Sequence, residues 1–253
     1  MSEFKINVKS AFSALDSDSK FIDFLPDQGT VLRLAPPVGW GTDEESPVIW
    51  MTHIHYGLKL DDGSNKGVGL ANLALHGNDE TGRKDYIQDL ATALKGIKGS
   101  DTLNAVGKRI QGNRSFYGQG WSVKVLGKGK YEYLPGMGGK CGLARFPKTA
   151  ADQMKQIAES QAQLGEEPFF HPSEGQPIVV HKTGTGLQTK YRVERSGVVE
   201  DLEKQRPNWR EEMHDDVLKA VGLNIVTRER QKELAQYSFP DLPWEKLEEE
   251  YGL

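Results

Sequence analysis

The sequence predicts a mainly β fold with helical insertions, an α+β chain, on three observations. Glycine and proline punctuate it throughout, with 28 and 12 copies. Short runs of alternating apolar and polar residues lie between those breaks, and one amphipathic stretch at helical spacing is set among them. A chain of 253 residues, 37% hydrophobic and 27% charged, can bury a core without metal or disulfide. The single cysteine, Cys141, excludes an intramolecular disulfide and an all-thiolate zinc site, which fits a reducing cytoplasm. Met1–Ser10 has no apolar signal core, and no run approaches the roughly 18 apolar residues of a membrane helix, so a soluble cytoplasmic protein without membrane contact is expected.

In chain order, Met1–Lys20 is poor in large apolar residues and reads as an N-terminal arm. Residues 21–196 read as the core. Its strands are expected at Gly29–Ala35, Pro47–Leu58, Asn113–Leu126, Lys130–Pro135, Lys140–Phe146, Pro177–Lys182 and Gln188–Arg195. Asp61–Gly69 reads as a loop, Thr81–Ile97 and Asp101–Arg109 as helices. Lys148–Leu164 is the amphipathic helix, with Thr149 as cap, Met154, Ile157 and Leu164 on the buried face, and Gly165 as stop. Five or more short strands with one inserted helix suit an OB-type five-stranded barrel. Residues 197–237 read as an accessory segment with helical patterns at Trp209–Val221 and Arg228–Tyr237, and 238–253 as a disordered acidic C-terminal tail.

The net charge of −4 hides a strong asymmetry. Residues 81–195 hold eighteen Lys and Arg against ten Asp and Glu, a net +8, between ends of −6 each. Within Lys108–Lys148 nine cations face one acid, Glu132. Cations and flat rings interleave there: Arg114, Lys124, Lys128, Lys130, Lys140 and Arg145 with Phe116, Tyr117, Trp121, Tyr131 and Tyr133. Cations neutralise phosphates and rings accept unpaired bases whatever the base, so the pattern points to single-stranded nucleic acid. One or more of Trp121, Tyr131 and Tyr133 is expected to stack, the others to be core. The run His181–Val193 reads as a hairpin whose Gly-containing tip gathers Lys182, Lys190 and Arg192 for phosphate.

The segments Gly142–Lys148 (GLARFPK) and Pro177–Val193 (with TGTGLQTKY), and more loosely Phe21–Pro37 (LRLAPP), resemble the T-even-type phage single-stranded DNA-binding, helix-destabilising proteins. The resemblance spans residues 20–195 and is strongest over 140–195. It implies an OB barrel, cooperative coating and protection of single-stranded DNA in phage replication, recombination and repair, a self-association arm and an acidic tail. Many members of that family carry a zinc site of His and Cys after the second strand. Here that segment holds His53, His55 and His76 but no Cys, so no metal is expected and no cofactor.

No Walker A, HExxH or GxSxG motif is present, and the chain is expected not to be an enzyme. Two other classes remain open: a phage structural or assembly protein that binds only other proteins, and a metal-dependent nuclease using Asp61 and Asp62 or Asp215 and Asp216. In the tail, Leu242, Trp244 and Leu247 stand among carboxylates as candidate anchors for replication or recombination proteins.

Overall fold

The computed structural model describes residues 21–24, 29–43, 45–60, 68–70, 85–127, 130–134 and 137–253. The expected N-terminal arm, Asp61, Asp62, His76 and Lys128 lie outside them. The strands are β1 (Gly29–Leu34), β2 (Trp50–Ile54), β3 (Val68–Leu70), β4 (Asn113–Gly127), β5 (Lys130–Tyr133), β6 (Gly142–Phe146), β7 (Ile178–Thr183), β8 (Lys190–Arg195) and β9 (Asn224–Val226). The helices are α1 (Tyr86–Gly96), α2 (Asp101–Ile110), α3 (Lys148–Gln163), α4 (Leu202–Gln205), α5 (Trp209–Glu212), α6 (Val217–Val221), α7 (Arg228–Ser238) and α8 (Trp244–Tyr251).

The expected α+β class holds. Seven strands form one sheet, ordered β2-β4-β1-β7-β8 with β5 and β6 also on β4, and the pairs β2–β4, β4–β1, β1–β7, β7–β8 and β4–β5 are antiparallel. Among the described residues the sheet is open rather than a closed barrel. The separate pair β3 and β9 is parallel. Every strand predicted from alternation recurs, within a few residues at each end.

The chain divides into two compact units. The first takes its described residues from Met1–Pro36, Gln119–Arg145 and Gln153–His214. In it β1 pairs with β4 on one edge (Arg33 opposite Trp121) and with β7 on the other (Leu32 opposite Ile178). Leu32, Leu34, Ile178, Val180 and Val193 are buried, as their period of two requires. The α3 residue Gln153 ties to β8, donating to the Tyr191 carbonyl and accepting from Val193 N–H. The helix α3 begins at Lys148, one residue before the expected cap Thr149, and, contrary to expectation, Leu164 is 72% exposed beyond its end. Met154 does lie on the buried face.

The second unit comprises Pro37–Gly118, Phe146–Asp152 and Asp215–Leu253. Its core gathers Leu58, Tyr86, Ile87, Leu90, Leu94 and Ile110 with Leu234 of α7 and Leu247 of α8. This overturns two expectations. The helices of 197–237 are not an appendage: they divide between the units, and Leu202, Trp209, Val217 and Leu218 are buried. The acidic tail is a folded helix, α8, whose Trp244 and Leu247 fall three apart on one stripe, with Leu242 beside them, all packed on the core. Of its carboxylates, Glu245, Glu249 and Glu250 are exposed, whereas Glu248 is half-buried and lies 2.8 Å from Lys232 of α7.

Candidate nucleic-acid interface

In the second unit, β2 and β4 run antiparallel with His53 opposite Arg114 and Met51 opposite Phe116. Directly opposed residues share a face, and so do residues two apart, so Arg114, Phe116, His53 and Met51 form one patch. Arg114 is exposed, while Phe116 and Met51 are half-buried. Tyr117, the other ring of this segment, points to the opposite face and is buried. Among the described residues no acid pairs with Arg114; its Nε donates instead to His53 Nε2 at 3.3 Å.

Beneath this patch lies a buried charge cluster. Asp85 is wholly buried; its Oδ2 is 3.2 Å from His53 Nδ1 and its Oδ1 is 2.9 Å from His55 Nε2. His55 Nδ1 lies 2.8 Å from the Ile110 carbonyl. Asp85 also caps α1, accepting from Gln88 N–H at 2.6 Å. Burial alone would raise its pKa, but the His53 and His55 imidazoles at 3.2 and 2.9 Å, together with the Gln88 amide, outweigh burial and hold it well below the usual carboxylate range. Gly112 permits this arrangement: a Cβ there would come within 2.5 Å of His55 Cε1 and 2.9 Å of His53 Cβ. The imidazoles thus turn to Asp85, and among the described residues no group of three His, Cys, Asp or Glu could hold a metal ion.

In the first unit the β7–β8 register separates the expected hairpin trio. Lys190 and Arg192 share one face, opposite Thr183 and His181, whereas Lys182 faces Tyr191 on the other. The sequence reading missed the parity because the turn, not the spacing, sets which residues oppose. Arg192 pairs with Glu194, which also lies 3.2 Å from His181 Nε2. Lys182 instead has rings beside it: Tyr191 lies directly across, in edge-to-face contact with Phe24 at 6.4 Å. Phe24 and Tyr191 were not among the predicted contacts.

The remaining candidates scatter. Trp121 is fully buried, and its Nε1 donates to Glu212 at 2.7 Å, so it is core and has no face for a base. Tyr133 is half-buried and its hydroxyl donates to Glu200. Arg206 sits over both rings, at 5.8 and 5.9 Å. Burial raises the Tyr133 and Glu200 pKa values and lowers that of Arg33 beside them. Lys124 lies 3.7 Å from Glu132, its opposite in the β4–β5 ladder. Tyr131 is half-buried, Lys130 opens β5, and Arg145 is exposed on β6. Lys140 donates its Nζ to the Glu211 and Met213 carbonyls, closing the end of α5. Cys141 is buried, and burial pushes its thiol up to about 12. Of the acid pairs, Asp216 caps α6 through Lys219 N–H.

Asp85 was absent from the sequence reading, although Asp-x-x-Gln before an apolar run is a helix-start signature that would have found it. Among the described residues no helix is long and apolar enough to cross a membrane. No protein-family model matches the chain, and no curated protein matches it.

Proposed function

We propose that this protein binds single-stranded DNA without sequence preference, on an OB-type barrel, and coats and protects that strand during phage replication and recombination. The observation that carries the reading is the β2–β4 patch, where an exposed arginine without an acidic partner among the described residues and a half-buried phenylalanine two residues on share one face. That spacing offers one phosphate contact and one ring for a base. The patch of Lys182, Tyr191 and Phe24 repeats the combination in the first unit. Each pairs a cation with a ring, the combination that engages phosphates and base planes, so the expected recognition is of backbone and base planes. Binding the unpaired strand in preference to the duplex shifts melting by mass action and needs no catalytic step.

The test is a titration with oligo(dT) and with duplex of equal length at several salt concentrations. Preference for the single strand, with affinity falling linearly in log–log against salt, supports the reading; the Arg114→Ala variant should lose about 0.7 of that slope. Absence of any nucleic-acid response would replace it with a protein-binding assembly role, and Mg²⁺-dependent cleavage with a nuclease.

A further inference from the structure

The geometry points to His53 as the positioning residue for Arg114, an inference that rests on the single-strand reading above and assigns to the buried Asp85 cluster the task of aiming a phosphate contact. Arg114 is the cation of the patch, and an arginine on an open strand has four torsions to fix before it can grip a phosphate. Three linked contacts fix it. Arg114 Nε–H donates to His53 Nε2 at 3.3 Å, so that nitrogen offers its lone pair. A neutral imidazole with Nε2 accepting carries its hydrogen on Nδ1, which is the atom that faces Asp85 Oδ2 at 3.2 Å. Asp85 is itself immobilised by the α1 Gln88 amide and by His55, which is anchored on the Ile110 carbonyl. The chain of contacts runs from two backbone groups, the Gln88 N–H and the Ile110 carbonyl, to one exposed guanidinium.

The bond to His53 uses Nε alone. The terminal N–H groups, which form the fork that matches a phosphate, remain for a ligand. Phosphate recognition by Arg114 is therefore preorganised from below: His53 never touches the strand but sets the angle at which the guanidinium meets it. Asp85 and His55 are the charged and titratable groups that face His53 from α1 and from the end of β2, and Arg114 faces it from β4.

Two replacements divide the imidazole into its halves. His53→Asn keeps a donor near the Nδ1 position for Asp85 and removes the acceptor for Arg114; His53→Gln places an amide oxygen near the Nε2 position and keeps the acceptor. Affinity for oligo(dT) and its salt slope are measured for the wild type, both variants, Arg114→Ala and the His53→Asn/Arg114→Ala double variant, with thermal unfolding as a control on folding. His53→Asn should weaken binding on the order of three- to ten-fold, the range for one lost hydrogen bond. The double variant should bind no worse than Arg114→Ala alone, because both remove the same contact, and His53→Gln, which keeps the acceptor for Arg114 but gives up the Nδ1 contact to Asp85, should bind between His53→Asn and the wild type. Full affinity in a folded His53→Asn protein, or losses that multiply in the double variant, would overturn the positioning role while leaving single-strand binding intact. A wild-type protein that ignores oligo(dT) would overturn both.

Discussion

Leu247→Ala tests whether the acidic C-terminal segment is part of the fold. Leu247 is 1% exposed and belongs to the core that holds Leu58, Leu90 and Leu94. Truncation removes three carbons, which at about 0.8 kcal/mol each is about 2.4 kcal/mol of lost transfer free energy. A residual void of roughly 40 Å³ adds about 1 kcal/mol at ~24 cal/mol per Å³. The expected destabilisation is thus about 3 kcal/mol. With a urea m-value of roughly 3 kcal/mol/M for a chain of this size, the midpoint should fall by about 1 M. Urea titration followed by far-UV circular dichroism and by tryptophan emission, to which Trp244 contributes, reads the shift. A midpoint within about 0.1 M of the wild type would mean that α8 adds nothing to the stability of the core, and the docked-helix reasoning would fail. The disordered tail expected from composition predicts that result.

Two further outcomes are expected. Trp121→Ala should cost about 3–5 kcal/mol of folding stability, measured by urea titration, while the folded variant keeps wild-type affinity for oligo(dT); selective loss of affinity at unchanged stability would place Trp121 on the binding face after all. Asp85→Asn should cost about 3–5 kcal/mol near neutral pH, since it strands two imidazoles against a neutral partner. Because the folded carboxyl is held below its ordinary range, the wild type gains from Asp85 above about pH 4 and loses that gain as pH falls through the folded value. The stability gap between wild type and variant should therefore narrow as pH falls below about 4, and a gap unchanged down to pH 2 would refute the assignment.

The strands were legible because alternation is a local property. Gly29–Leu34 and Ile178–Thr183 carry their buried faces in their own period, so neither needed a partner to be recognised. What the sequence could not reveal is pairing. Nine cations in forty residues look like one basic surface, yet the β4–β5 register sets Lys124 against Glu132 and the end of α5 takes up Lys140. Trp121 and Tyr133 look like stacking rings until Glu212, Arg206 and Glu200, some eighty residues downstream, engage them. The tail misled for the same reason: Leu242, Trp244 and Leu247 make too narrow a stripe to sustain a free helix and find their place only against residues far earlier in the chain.

Asp85 serves two structures at once, and that narrows what can stand in its place. As the cap of α1 it does what Ser100 does for α2 and Thr227 for α7, and for capping alone Ser, Asn or Thr would serve nearly as well. The imidazoles of His53 and His55 make a different demand, for two anionic oxygens at the end of a short side chain. Glutamate meets the charge but overshoots the cap; serine meets the cap and forfeits the charge. Among sequences that keep this arrangement, position 85 should therefore vary far less than positions 100 and 227, and a helix start that looks ordinary in isolation would be one of the least replaceable points of its unit.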